Sequence, residues 1–194
     1  MAPDGLDRVV LRTPRLVLRE WRDEDRESFA AMNRDPLVMK HFPGLMDQAA
    51  SDATVDRFMS VHSTLGYTVW VVEVLNSERG ATSFAGFTGL MPPSFDPPFA
   101  HQQPLVEVGW RLWPQWWGLG IASEAARASV AHGFDVVGLP EIVSFTVVAN
   151  TPSRAVMERI GMRYDSEFDH PRAQAGDTWR RHVLYRMAPE DPRG

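Results

Sequence analysis

The chain has 194 residues, of which 44% are hydrophobic, so it is long enough for one domain with a substantial core. Its formal net charge of -5 gives no general electrostatic reason to bind nucleic acid. It contains no cysteine, which excludes disulfides and thiol catalysis and fits a reducing cytoplasm. There is no signal-peptide pattern and no apolar run of membrane-spanning length, and the six histidines lack ligand-like spacing. We therefore expect a cytoplasmic protein with no metal site and no membrane or nucleic-acid partner.

The N-terminal part of the chain is predicted to form an arm, a strand and a helix. We interpret residues 1–9 as a loose arm that precedes a single domain covering 1–194. Apolar and polar residues alternate over 11–19, which predicts a first strand that continues to Trp21. Asp23 is a suitable N-cap for a helix that runs to about Asn33.

A second helix and a hairpin are predicted next. Asp47 is the expected N-cap of the helix, and its apolar face carries Val55, Phe58 and Met59. Residues 67–75 and 83–91 are rich in β-branched and aromatic residues and are predicted to be strands. The turn-forming residues 76–80 between them predict an antiparallel pair.

Residues 92–104 contain five prolines and show no periodicity, so they are predicted to form a loop. Long loops without regular structure are frequently functional. Phe95, Phe99 and His101 are therefore candidates for the rim of a substrate site. The alternative is an exposed crossover without a binding role.

A strand, a loop with two glycines and a helix follow in that order. Residues 105–112 read as the strand, and the helix is marked by apolar residues at helical spacing: Ala122, Ala126, Val130, Phe134 and Val137. Gly118 and Gly120 allow the backbone to turn so that the first amides of the helix point outward, where they would favour a diphosphate. The alternative is a plain tight turn.

The C-terminal part is predicted to add three strands and a short helix. Residues 141–148 are rich in β-branched residues, and strand, helix, strand in sequence implies a parallel crossover. Thr151 is the predicted cap of a helix with Pro152 at its first position. Residues 162–167 and 179–187 read as the last two strands.

The loop resembles a known cofactor-binding motif. The run Gln115-x-x-Gly118-x-Gly120-x-Ala122 is similar to the acyl-CoA pyrophosphate loop of the GNAT superfamily of N-acyltransferases. Three further matches have the order and spacing of the RimJ/RimL-type branch: the opening from Leu11 to Arg19 with Asp25, Glu107-Val-Gly-Trp110, and the run from Asn150 to Met162. The resemblance implies an α/β (α+β) fold with a mixed, splayed central sheet of about seven strands and about four helices.

The resemblance also implies where acetyl-CoA binds, between the strands at 105–112 and 141–148. Main-chain groups of the first strand would pair with the pantetheine arm, amides of the loop would hold the diphosphate, and the residues after the second strand would lie near the amide and thiol. The implied cofactor-binding residues are Trp110, Arg111, Leu112, Gln115, Trp117, Gly118, Leu119, Gly120, Ile121, Ala122, Asn150 and Ser153. For Asn150 a strand-ending turn residue is the alternative, and for Ser153 a residue that satisfies the first helical turn.

Two positions depart from the family pattern. Many relatives have a basic residue at the position of Leu119, and many superfamily members have a tyrosine general acid at that of Met157. Methionine cannot donate a proton, so Ser153 or water would have to protonate the leaving thiolate. Glu107 is the candidate general base, and a solvated strand residue is its alternative interpretation.

The resemblance implies an N-acetyltransferase that moves an acetyl group from acetyl-CoA to a primary amine by direct attack in a ternary complex. The acceptor would be a protein N-terminal α-amine or a small-molecule amine. The alternatives are a catalytically silent acyl-CoA-binding or regulatory module and a domain that binds another phosphate ligand. Candidate acceptor-binding residues are Trp21, Phe42, Trp70 and Phe95. A homodimer is a further expectation from the resemblance.

Overall fold

A mixed sheet of eight strands forms the centre of the fold. The computed structural model describes residues 9–75, 82–100 and 104–193. The strands are β1 (Val9–Arg12), β2 (Leu16–Arg19), β3 (Val69–Val74), β4 (Thr82–Met91), β5 (Glu107–Leu112), β6 (Ile142–Val147), β7 (Arg163–Asp169) and β8 (Arg181–Met187). The α-helices are α1 (Asp25–Arg34), α2 (Gln48–Leu65), α3 (Ile121–His132) and α4 (Thr151–Arg159).

The strand order across the sheet is β1-β2-β3-β4-β5-β6-β8-β7. In the described part of the chain, β5 and β6 are the one parallel pair, and the other neighbours run antiparallel. The predicted mixed fold, the β3–β4 hairpin and the parallel pairing across α3 are therefore confirmed. The residues of the β3–β4 turn, 76–81, lie outside the described residues, as do residues 1–8 of the predicted arm.

The prediction of one continuous first strand was wrong, and this accounts for the eighth strand. The chain reverses at Thr13, whose amide donates to the carbonyl of Leu16 at 3.0 Å and whose hydroxyl accepts from the Leu16 amide at 2.9 Å. Pro14 cannot donate a backbone hydrogen bond, so it suits this turn better than a strand interior. Val9 already belongs to β1, so the predicted arm ends at or before residue 8.

The helix starts were predicted with mixed success. Asp47 caps α2 as expected, because its carboxylate accepts from the Ala50 amide at 2.8 Å. Asp23 does not cap α1: Glu24 stands at the N-cap position and makes no side-chain cap hydrogen bond. The carboxylate of Asp25 instead accepts from the Arg22 amide at 2.8 Å, which organises the turn into the helix.

Two layers of apolar side chains cover the two faces of the sheet. Helix α3 packs on one face through residues such as Ala125, Ala126 and Val130. Helices α1 and α2 pack on the other face, where Trp21 lies against the rings of Phe29 and Phe58. None of the helices in the described ranges is both long and apolar enough to cross a bilayer.

The proline-rich segment is a loop over its described residues, 92–100 and 104, as predicted. Phe99 does not form a rim, because it is buried against Val143 and the ring of Phe168, whose centroid is 4.7 Å away. No local pattern predicts this burial, since the loop has no periodicity. His101 lies outside the described residues.

Candidate functional site

The strands β5 and β6 separate shortly after they meet. Glu107 is the one β5 residue that pairs in register with β6, opposite Val143. The Val143 amide donates to the Val106 carbonyl, and the Ser144 hydroxyl donates to the Val108 carbonyl, both at 2.9 Å. In the described residues no main-chain bond joins the two strands beyond this point. The result is the splayed sheet that the resemblance implies.

The gap leaves main-chain groups of β5 available. The carbonyls of Val106 and Val108 face β6. The main-chain N–H and C=O groups of successive strand residues point to opposite sides, so the groups of Trp110 are the next to face β6. One step further, the Leu112 carbonyl accepts from the Trp117 indole at 2.8 Å. Trp110 is therefore the position where an extended ligand can add hydrogen bonds to β5.

The loop after β5 presents a row of amides at the start of α3. Gly118 and Gly120 have φ angles of 71° and 77°, in the left-handed region that favours glycine. The Glu124 amide makes the first helical bond, to the Gly120 carbonyl at 3.0 Å. Within the described residues no backbone acceptor takes up the amides from Gly118 to Ser123. These donors and the helix dipole form a site suited to an anion.

One predicted donor is not available. The Trp117 amide donates to the Pro114 carbonyl at 3.0 Å, within a short 3-10 turn over Pro114–Trp116. The row of open amides therefore begins at Gly118. This detail depends on a local turn that the spacing of the glycines does not reveal.

Two arginines outside the loop lie beside the start of α3, where the loop itself carries the apolar Leu119. Arg15, in the β1–β2 turn, donates to the Leu119 carbonyl at 2.9 Å and pairs with Glu124 at 2.6 Å. Arg159, at the end of α4, donates to the Ser123 hydroxyl at 3.1 Å. No local pattern predicts a role for either arginine, because these contacts join residues more than thirty positions apart.

Asn150 and Ser153 lie at the start of α4 on the other side of the gap. Asn150, rather than Thr151 as predicted, is the N-cap, and its side chain accepts from the Ser153 amide at 3.4 Å. Its amide nitrogen donates to the Thr146 hydroxyl at 2.9 Å. Both ends of the Asn150 side chain thus have internal partners, while no described residue bonds to the Ser153 hydroxyl.

A cleft of about 980 Å³ joins these features, which is large enough for a sizeable ligand. Most of the predicted residues line it: Phe42, Phe95, Glu107, Trp110, Arg111, Leu112, Trp117, Gly118, Gly120, Ile121, Ala122, Asn150 and Ser153. Gln115 and Leu119 are exposed outside its wall. Trp21 and Trp70 do not reach it, because they are buried in the two core layers with 2% and 0% exposure.

Glu107 is a desolvated carboxyl on the cleft wall. One of its oxygens lies 3.8 Å from the point where a Cβ would stand on Gly109, so the side chain runs along β5 toward the gap. Burial raises the pKa of Glu107 to about 8, and the nearby positive charge of Arg57 opposes this rise. A carboxyl with such a pKa exchanges its proton near neutral pH, as a general base must.

Met157 on α4 also lines the cleft, but it is buried with 1% exposure and offers no proton. In the described ranges, no group of three or more His, Cys, Asp or Glu side chains is arranged to hold a metal ion. The chemistry available to the cleft therefore includes main-chain donors, the Glu107 carboxyl, several cationic side chains, hydroxyls such as that of Ser153, and the imidazoles of His41, His170 and His182.

Known proteins are similar to this chain in sequence and in architecture. A family model described as an acetyltransferase (GNAT) domain matches residues 15–163. The FsC-acetyl coenzyme A-N(2)-transacetylase of Aspergillus fumigatus is 31% identical over 81% of this chain and 66% of its own length. The chain thus spans just under two thirds of that relative.

Solved structures of other proteins have the same fold as this chain. An acetyltransferase (GNAT family) from Bacillus anthracis superposes with a TM-score of 0.74, at 26% identity, over 92% of this chain and 98% of its own. RimL, a ribosomal L7/L12 alpha-N-protein acetyltransferase crystallised with coenzyme A, superposes with a TM-score of 0.73 over 93% of this chain and 97% of its own. At 17% identity, the second likeness concerns the fold alone.

Proposed function

The chain belongs to the GNAT family of acetyltransferases, and from this premise we propose that it moves an acetyl group from acetyl-CoA to a primary amine. We propose direct attack with both substrates in the cleft. The observation that carries the proposal is the gap between β5 and β6, next to a row of open amides at the start of α3. We also assign the chain to the RimJ/RimL-type branch, on its sequence motifs, and expect a homodimer.

The residues present fit an acyl-CoA ligand. The amides from Gly118 to Ser123 suit the diphosphate, and Arg15 and Arg159 add positive charge nearby. Main-chain groups of Trp110 suit the amides of the pantetheine arm, which would lie along β5 as an added strand. The bound thioester would supply an activated acetyl group at the centre of the gap.

Proton transfer is the part of the reaction that Glu107 suits. The amine nitrogen forms a bond to the acetyl carbon, the carbon–sulfur bond breaks, and the amine loses a proton. Deprotonated Glu107 accepts that proton, directly or through water, and the electron pair of the broken bond leaves with the sulfur. Ser153 is the candidate that returns a proton to the thiolate, since Met157 has none to give.

Met157 also favours a second candidate function, a catalytically silent module that binds acyl-CoA. Such a protein would keep the open amides and the gap but lack a proton donor at the sulfur. It would bind acetyl-CoA without turning it over.

Release of free coenzyme A separates these functions. We expect acetyl-CoA to raise the unfolding temperature progressively as its concentration increases above the dissociation constant. We also expect thiol release above the uncatalysed rate with at least one member of a panel of amines. The panel contains amino acids, their amides, polyamines and peptides with free N-termini.

Stabilisation by acetyl-CoA without thiol release would identify the silent module. Stabilisation by ATP or NAD but not by acetyl-CoA would overturn both functions and point to another phosphate ligand.

A further inference from the structure

Arg111 holds a positive charge on the wall of the cleft, two residues beyond Gly109 on β5. Its guanidinium carbon lies 4.0 Å from the centroid of the Phe42 ring and 5.4 Å from that of Phe87. One of its terminal nitrogens donates to the side-chain carbonyl of Asn33. These three contacts fix the guanidinium without neutralising its charge.

No carboxylate in the described residues pairs with Arg111. Its Nε is buried and has no hydrogen-bond partner among them. Other arginines of the interior differ: Arg19 pairs with Asp25 and Glu73, and Arg186 pairs with Glu141. Burial lowers the pKa of Arg111 to about 10, so the side chain is still charged at neutral pH. A half-buried charge without a counter-ion is unfavourable, and an anionic ligand would relieve it.

The surroundings of Arg111 also favour an anion. The cleft is lined by further cations, Lys40, Arg57 and Arg159, in a protein whose formal net charge is -5. Of the described residues that line it, Glu107 is the one carboxyl. Its raised pKa, about 8, keeps it largely protonated at pH 7, so it does not repel a negative group.

The spacing along β5 connects Arg111 to the reacting centre. Successive residues of a strand point to opposite faces, so Glu107, Gly109 and Arg111 share one face of the sheet. A strand rises about 3.3 Å per residue, so the Cα atoms of Gly109 and Arg111 are about 7 Å apart. The Glu107 carboxyl reaches back toward Gly109. An amine near Gly109 and a negative group at Arg111 are therefore within the span of one small molecule.

We propose that the acceptor is a small amino carboxylate, whose carboxylate is bound by Arg111 while its amine faces Glu107. This rests on the proposed acetyltransferase function and selects a small amino acid over a protein N-terminus. The rings of Phe42 and Phe87 lie against the Arg111 guanidinium and favour an apolar side chain on that acceptor. A guanidinium fork covered by an aromatic ring suits a planar carboxylate.

The test compares each amino acid with its own amide, using L-methionine with L-methioninamide and L-phenylalanine with L-phenylalaninamide. The ratio of kcat/KM for acid over amide is measured in wild type, Arg111→Gln and Asn33→Asp. Acid and amide differ in amine pKa, but this difference cancels when one ratio is divided by another. Asn33→Asp keeps the oxygen that accepts from Arg111 and adds a negative charge beside it.

We expect Arg111→Gln to lower the acid-to-amide ratio by about 30-fold or more, because a buried charge contact is lost. Asn33→Asp should lower it in the same direction, since Arg111 then has an internal counter-ion. Arg163→Gln is the matched control: Arg163 is exposed, pairs with Asp191 outside the cleft and should leave the ratio unchanged.

Each outcome decides the proposal. An unchanged ratio in both cleft variants, with thiol release still present, overturns the carboxylate site and leaves the acetyltransferase function standing. Acetylation of peptide N-termini, without acetylation of the free amino acids or their amides, would also overturn the carboxylate site and leave the acetyltransferase function standing. The absence of thiol release by wild type with every amine instead overturns the proposed function. If Arg111→Gln does not fold, the acid-to-amide ratio is measured in Asn33→Asp and Arg111→Lys instead. Both variants retain a cation at position 111.

Discussion

Glu107 shows how the environment of one residue decides its chemistry. On a solvated strand its carboxyl would be ionised at neutral pH and a weak base. On the wall of the cleft, burial raises its pKa to about 8, against the opposing charge of Arg57. The carboxyl is therefore protonated over most of the physiological range and becomes a base as the pH rises through 8.

We predict a specific pH dependence for Glu107→Gln. Glutamine resembles the protonated form of the carboxyl, so wild type and variant should have similar kcat/KM well below pH 8. The ratio of kcat/KM in wild type to kcat/KM in the variant should rise with pH, by up to tenfold per pH unit. It should level off above pH 8 at roughly 100-fold or more, the size typical of general-base catalysis. The measurement is kcat/KM against pH with one acceptor, whose own ionisation cancels between the two enzymes.

A ratio that does not change with pH would remove Glu107 from proton transfer. Circular dichroism and the affinity for acetyl-CoA serve as controls, and both should match wild type. A large loss that is equal at pH 6 and pH 9 would indicate a positioning role instead.

At the level of elements, the start of α3 combines a backbone property with long-range support. Glycine at position 120 provides a left-handed N-cap with a φ angle of 77°. The first turn of the helix is anchored by Glu124, which accepts from the Thr13 hydroxyl at 2.5 Å and pairs with Arg15. The β1–β2 turn thus keeps the row of amides in place.

Substitution of Gly120 by Asp and by Asn separates charge from conformation. Both residues tolerate a left-handed φ better than most, and both can cap the α3 amides, so the conformational cost should be similar, about 1 kcal/mol. An added Cβ would lie 3.4 Å from a guanidinium nitrogen of Arg15, so Asp also gains a cationic neighbour. Asp alone places a negative charge against a bound diphosphate. We expect acetyl-CoA to bind Gly120→Asp at least tenfold more weakly than Gly120→Asn, measured by titration calorimetry.

Equal affinity of the two Gly120 variants for acetyl-CoA would show that no phosphate lies at this helix start. Raising the salt concentration is a useful second measurement. The difference between Asp and Asn should shrink as charges are screened, whereas a purely steric effect should not.

On the scale of the whole molecule, a buried ion network joins the N-terminal elements to the sheet. Arg19 on β2 is fully buried and forms two hydrogen bonds of 2.8 Å with Asp25, the first residue of α1. It also pairs with Glu73 on β3 at 2.6 Å. The network fixes α1, and with it the Asn33 side chain that contacts Arg111, relative to the strands.

Loss of this network should destabilise the entire fold. We predict that Asp25→Asn lowers the free energy of unfolding by about 3 kcal/mol, because the buried Arg19 loses its main partner. The measurement is urea denaturation at neutral pH. Asp23→Asn is a matched control two residues earlier, where the carboxylate is 88% exposed and pairs with Arg26; its effect should be below about 0.5 kcal/mol. A similar small effect at Asp25 would contradict the role of the network.

The sequence by itself determined the features that local pattern encodes. The two glycines before α3, the apolar strands, the cap at Asp47 and the order of strand, helix and strand are each written in neighbouring residues. They were sufficient to identify the family and the parallel pairing of β5 with β6. Short patterns misled where a turn resembles a strand, as at Thr13, or where several acidic residues stand at a helix start, as at Asp23, Glu24 and Asp25.

Only the tertiary structure decided which side chains meet and which are removed from water. It buried Trp21 and Trp70 in the core, left Phe42 in the cleft and brought Asn33 to Arg111 across 78 positions. It also left Arg111 without a carboxylate among the described residues and placed Glu107 where its proton is retained near neutral pH. Burial and charge depend on elements that are distant in the chain, so no local pattern can specify them.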